Sequence, residues 1–384
     1  MWLLDNKTPL AAERAWVRDK HGSEVWVVAI KGTFNVGADG QLTLAENQEP
    51  VTLAPDYTDD SYSELRYETD FFECKQATDV IVNGTAYAPN NQPSRDWAVN
   101  LRVGPIDKTL FVQGDRVWKK NILDMSVGES EFIESLPLSY RYAYGGEALS
   151  SADGSLLNAE GSLLNADGSL LKADGSSMNA ESSPSFYELN PIGRGYTQDK
   201  KALIGRYAPN IEYPKGQVVH WSDQPTPAGL AAIPGHWQAR KSLAGTYDQN
   251  WEEQRQPLLP EDFDPQFYQC APIDQQVPGF LKGSEKVELT HLTPTKHWSF
   301  YLPKVSFYLR TSFSDGYKKT HRANLHTVII EPDAQRVMVV WHSHLPCHHR
   351  VNQLEGTQIR LKKRILEPTS DTPNRVWKGE GGVG

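Results

Sequence analysis

Cysteine is scarce: Cys74, Cys270 and Cys347 are the only three in 384 residues. Three thiols with no C-x-x-C pair cannot build a disulfide framework, so a reducing compartment is expected. Long apolar runs are also missing. No stretch approaches the roughly 18 residues of a membrane-spanning helix. The opening "MWLLDNK" reaches Asp5 too soon for a secretory signal core. A cytoplasmic protein without a membrane segment is expected. Excess basic charge is lacking: 39 Lys and Arg against 48 Asp and Glu give a net charge of −9. That disfavours a broad nucleic-acid surface, which needs clustered cations to displace counterions. The longest basic cluster, "RLKKR" at 360–364, reads as a solvated strand edge. Catalytic signatures are absent as well: no G-x-S-x-G elbow, P-loop, EF-hand or H-E-x-x-H. Gly379, Gly381 and Gly384 spell G-x-G-x-x-G, but no βαβ unit surrounds them.

What is abundant is aromatic and β-branched. Eleven Trp, sixteen Tyr and twelve Phe can fill a large core, and with frequent Gly and Pro they favour strands. "VWVVAIKGTFNV" (25–36) is apolar on both faces, like a central strand; "GADG" then turns into "QLTLA" as a hairpin. In "WAVNLRV", Trp97, Val99, Leu101 and Val103 share one face, with Ala98, Asn100 and Arg102 on the other. "KVSFYLRTSF" places Val305, Phe307, Leu309 and Thr311 together, and the chain from 325 to 345 reads as a hairpin about 331–334. The predicted fold is mainly β: two packed antiparallel β-sandwich-like halves with long irregular loops. Residues 1–147 form an N-terminal β region, 148–185 an insertion, and 186–384 a loop-rich middle followed by a C-terminal β region. In the middle, "DQNWEEQRQ" reads as a short helix.

The insertion carries four tandem heptads, "ADGSLLN", "AEGSLLN", "ADGSLLK" and "ADGSSMN", from 152 to 179. Their Gly residues and adjacent leucines do not fit a coiled coil, so a flexible or loosely turned surface loop is expected.

The densest set of metal-ligand residue types is "WHSHLPCHHR" (341–350). On a strand His342 and His344 share a face, and Cys347 or His348 could follow after Pro346. The stretch has no acidic residue and matches no trusted metal motif, so the expectation is no metal and no cofactor.

Several blocks occur in order along the chain: "TDVIVNGTAYAP" (78–89), "WAVNLRVG", "KTLFVQGDRVW", "YRYAYGG" (140–146), "NPIGRGY" (190–196), "APNIEYP" (208–214), "GTYDQNW" (245–251) and "LPEDFDPQFYQCAPIDQ" (259–275). Together they resemble the domain of unknown function 2169, from about residue 2 to residue 360. That resemblance implies a non-enzymatic adaptor or chaperone of type VI secretion. Its implied partners are an effector, a PAAR-like tip and the VgrG spike. Within the blocks, Arg141 with Gly145 and Gly146, and Asn190, Arg194 and Tyr196, read as loop staples or a partner-binding surface. Trp237, Tyr247 and Trp251 are aromatic anchors for recognition, or core. Two other classes compete: a metal-dependent hydrolase built on the 342–349 histidines, and a carbohydrate-binding β module using Trp237 or Trp251.

Overall fold

A computed structural model describes residues 2–58, 63–121, 125–149, 163–164, 170–171, 186–348 and 350–362. The protein is mainly β. The largest sheet has seven strands. Along its path lie Gln276–Pro278, Ala77–Val82, Asn324–Glu331, Arg336–Pro346, Glu24–Val36 and Ala11–Arg18, with Leu42–Leu44 added to Glu24–Val36. Only Ala77–Val82 and Asn324–Glu331 run parallel in it, Val80 facing Val328. A second, antiparallel sheet holds Ile211–Glu212, Ile106–Gln113, Asp96–Val103, Lys286–Thr290 and His297–Tyr301. A third holds Leu3–Asn6, Leu354–Leu361, Phe307–Phe313 and Lys318–His321. Regions 1–147 and 186–384 contribute strands to all three.

The apolar pattern explains this layering. Glu24–Val36 is buried at every position from Val25 to Phe34, as its two-faced sequence requires of a central strand. Its inward side chains Trp26, Val28 and Ile30 join one cluster with Val99 and Leu101 of the second sheet and Leu309 and Ile359 of the third. Asp96–Val103 alternates as predicted: Trp97, Val99, Leu101 and Val103 are buried, while Ala98 and Arg102 are exposed. The hairpin into Leu42–Leu44 forms, and Pro332–Ala334 turns Asn324–Glu331 into Arg336–Pro346.

Between the first two thirds of the sheets and the last strands, regular structure is sparse. The predicted short helix is Gln249–Gln254, with Asp248 accepting from the Trp251 backbone N–H at 2.8 Å. Of the heptads, Leu163–Leu164 pairs antiparallel with Leu170–Leu171. Residues 150–162, 165–169 and 172–185, His349 and the C-terminal tail from 363 lie outside the described residues. Among the described residues no helix is long and apolar enough to cross a membrane.

Candidate functional site

Glycine decides how the two arginine-bearing turns meet. Tyr144–Leu149 runs parallel to Arg194–Thr197, with Gly145 opposite Gly195. Gly145 has φ 146°, and a Cβ there would lie 2.2 Å from the Asn190 carbonyl oxygen. On Gly146, a Cβ would meet the Gly193 carbonyl at 2.3 Å. Only backbone without side chains can approach so closely. Asn190 sits in the middle, fully buried, and its Nδ2 donates to the carbonyls of Tyr140 and Tyr144, each at 2.9 Å.

The arginines tie the outside of this knot. Arg194 Nε donates to the Arg141 carbonyl at 3.1 Å, and its Nη1 to Asn210 Oδ1 at 2.9 Å. Its guanidinium lies 4.6 Å from the Tyr142 ring centroid. Burial pulls the Arg194 pKa below the usual arginine value, opposed by Asp115. Arg141 Nη2 donates to Ser63 Oγ at 2.8 Å. Tyr196 packs 5.4 Å from Tyr187, beside the cluster that holds Trp118 and Tyr144. The structure thus gathers Arg141, Gly145, Gly146, Asn190, Arg194 and Tyr196 into one place, where they hold one another.

Two of the candidate partner-binding residues, Asn190 and Trp237, are buried. Asn190 is spent on backbone carbonyls. Trp237 is 1% exposed and packs edge-on against Tyr140 at 5.3 Å, so it is core. Tyr247 does reach the surface, at 53% exposure, and stacks edge-on against half-buried Trp251 at 4.7 Å. The Trp251 indole is itself spent on the Leu258 carbonyl at 2.8 Å.

Beyond Tyr140 opens a groove of about 330 Å³. Its walls are mostly apolar: Leu189, Ile233, Leu243, Ala271, Pro272 and Ile273. Ile273 is 77% exposed, a large apolar side chain left in water at the rim. Arg240 fixes one wall. It donates to Glu68, to the Ile233 carbonyl at 2.8 Å and, through Nε, to the Phe267 carbonyl at 3.0 Å. The polar end is Asp274, which accepts from Lys108 Nζ at 2.7 Å and from Tyr213 OH at 3.1 Å. Burial pulls Lys108 down to about 8, against the pull of Asp274. The result is an apolar slot with one ionic end.

The sequence reading missed this groove. Its lining comes from irregular segments with no period to follow. One signal was available: Lys108 alternates in register with inward-facing Ile106, Leu110 and Val112. A lysine on an apolar face calls for a nearby carboxylate.

The histidines separate. His342 is buried and its ring stacks on His326 at 4.8 Å and on Phe72 at 5.1 Å. Phe280 also stacks on His326, at 5.1 Å. Neither ring nitrogen of His326 or His342 has a hydrogen-bond partner among the described residues. Burial lowers both: His342 to about 3, and His326 well below the ordinary value. His344 and His348 are exposed, whereas Cys347 is buried. Among the described residues no three His, Cys, Asp or Glu side chains are grouped to hold a metal ion. His321 bonds Ser343 Oγ at 2.5 Å, but this is no open catalytic dyad. Ser343 is buried, and the contact continues through Thr311 and Thr357 to the Trp26 indole, joining two sheets.

The β scaffold thus carries a stapled loop knot and, beside it, an open apolar groove. At residues 21–342 the chain matches the family described as "Uncharacterized protein conserved in bacteria (DUF2169)", and it belongs to that family. No curated protein and no solved structure matches it.

Proposed function

We propose that this protein is a non-enzymatic cytoplasmic adaptor or chaperone that binds a type VI secretion effector, or its PAAR-like tip, and promotes loading onto the VgrG spike. The observation that carries the reading is the groove beside Tyr140, with Ile273 and Leu189 exposed at its rim. Blocks quoted for the family resemblance supply Tyr140, Tyr213 and Ala271–Asp274 of its lining. An apolar slot held by fixed walls recognises an apolar anchor without making or breaking a bond. The net charge of −9 fits a protein partner better than a nucleic acid.

The test is co-expression with the effector encoded beside it, followed by co-purification. Effector and spike are expected to be recovered with the wild-type chain and lost with Ile273→Asp, whose exposed position leaves the fold intact. Recovery of neither from the host, together with normal effector secretion after deletion, would refute the reading.

A further inference from the structure

The seven-stranded sheet ends at Ala11–Arg18, an edge strand of eight residues. It pairs with Glu24–Val36 on one side, in unbroken register from Ala11 opposite Lys31 to Arg18 opposite Glu24. On its other side no backbone N–H or carbonyl of residues 11–18 takes a hydrogen-bond partner among the described residues. The strand has no proline and no bulge, two of the devices that normally blunt such an edge. The other outermost strand of that sheet, Gln276–Pro278, is short and ends in proline.

Arg14, Trp16 and Arg18 are exposed and, by alternation, share one face of the strand. Trp16 lies directly opposite the buried Trp26, and Trp2 packs edge-on against both, at 6.5 Å and 6.0 Å. The main core therefore runs out to Trp16 and stops there, with that indole 38% exposed. The Arg18 guanidinium lies 5.7 Å from the Trp16 ring centroid. Arg14 is only lightly held, by an exposed contact to Glu13 at 2.9 Å and by the Trp2 carbonyl at 3.2 Å. Two cations flanking an indole on a free edge stand out in a chain whose net charge is −9.

We propose that Ala11–Arg18 is a docking edge for an extended segment of a partner polypeptide, patterned acidic–x–apolar–x–acidic. The added strand satisfies the free backbone groups. Its apolar residue lands opposite Trp16, and its two carboxylates land opposite Arg14 and Arg18. A second copy of this chain is a poor occupant, because the antiparallel register that stacks the two Trp16 side chains sets Arg14 against Arg18. The proposal rests on the adaptor reading for the partner's class, an effector or its tip, and not for the edge itself.

The probe is a fluorescein-labelled peptide, Thr-Glu-Thr-Val-Thr-Glu-Thr, titrated into the full chain and followed by anisotropy. Binding is expected, with slowed hydrogen exchange confined to the amides of residues 11–18. The double variant R14E/R18E is expected to weaken binding by at least about tenfold, since two attractions become repulsions. A peptide with Lys in place of both Glu should then bind the variant better than the wild-type chain. Absence of binding, equal binding to both proteins, protection elsewhere, or a wild-type dimer held through this edge each overturns the proposal. Effector recovered equally with wild type and R14E/R18E keeps the adaptor reading and removes the edge. Charge-swapped peptide binding without any effector capture keeps the edge and removes the adaptor reading.

Discussion

Replacing His342 by phenylalanine tests the stacked histidines most directly. The His342 ring lies against His326 and Phe72, at interplanar angles of 22° and 27°, a setting that a phenyl ring can inherit. Neither of its nitrogens has a partner among the described residues. At pH 7.5, where the imidazole is neutral, removing two unpaired buried polar atoms is expected to raise stability by about 1–2 kcal/mol. The larger effect is on pH dependence. Burial, with His344 and Lys75 nearby, holds the folded pKa of His342 at about 3. The unfolded chain titrates near 6.5, so below that pH the unfolded state binds the proton and the folded state does not. Stability is therefore whole above about pH 6.5 and is lost as pH falls from there towards the folded pKa. At pH 5 the loss from this residue alone is about 2 kcal/mol, growing by about 1.4 kcal/mol for each further pH unit. Urea unfolding of both proteins at pH 7.5, 6 and 5 measures it. The advantage of His342→Phe should widen by about 2 kcal/mol between pH 7.5 and pH 5. Parallel pH profiles would show that His342 is solvated or partnered in the folded protein, and the reasoning would fail.

The other expectations concern the core and the knot. Lys75 and Asp79 form a buried pair at 2.6 Å, and Asp79 also accepts from the Cys270 N–H and Gln269. Lys75→Met is expected to cost about 3–5 kcal/mol by leaving a buried carboxylate, whereas Lys75→Met with Asp79→Leu should recover much of it in chemical denaturation. Gly145→Ala, which drives a methyl into the Asn190 carbonyl, should lower stability by about 3 kcal/mol, read as a drop in melting temperature. Trp237→Ala should cost about 3–5 kcal/mol and Tyr247→Ala less than about 1 kcal/mol; equal costs would contradict the assignment of one to core and the other to surface.

Local pattern carried the strands well, because a residue's face depends on its own neighbours in sequence. The two-faced run at 25–36 became a central strand, the alternation at 97–103 put the named side chains inside, and Asp248 started the short helix. Partners across the sheets were not legible. Nothing in either segment announces that Ala77–Val82 lies parallel to Asn324–Glu331. The histidine stack has the same cause. His342 was conspicuous in sequence, but its neighbour His326 arrives from the adjacent strand, at an irregularity between Leu325 and Thr327. Phe72 and Phe280 come from segments far away in the chain. Trp237 shows the limit from the other side: aromatic density in an irregular region marks core and docking surface alike, and only burial separates them.

The knot and the groove share a physical logic. A wall built from irregular chain would lose much conformational entropy if it had to order on binding. Here the ordering is done in advance. Arg240 clamps Glu68, Ile233 and Phe267 behind one wall, Asn190 and the glycines fix the turn beside Leu189, and Lys108 anchors the segment after Ile273 through Asp274 and Gln275. Arg240 and Lys108 are thus buried and spent on holding these segments, while the lining left open is mostly apolar, with Asp274 as its charged end. Among the residues of the resemblance blocks, Arg194 is likewise spent on stapling loops, while Ile273 is left exposed at the rim of the groove.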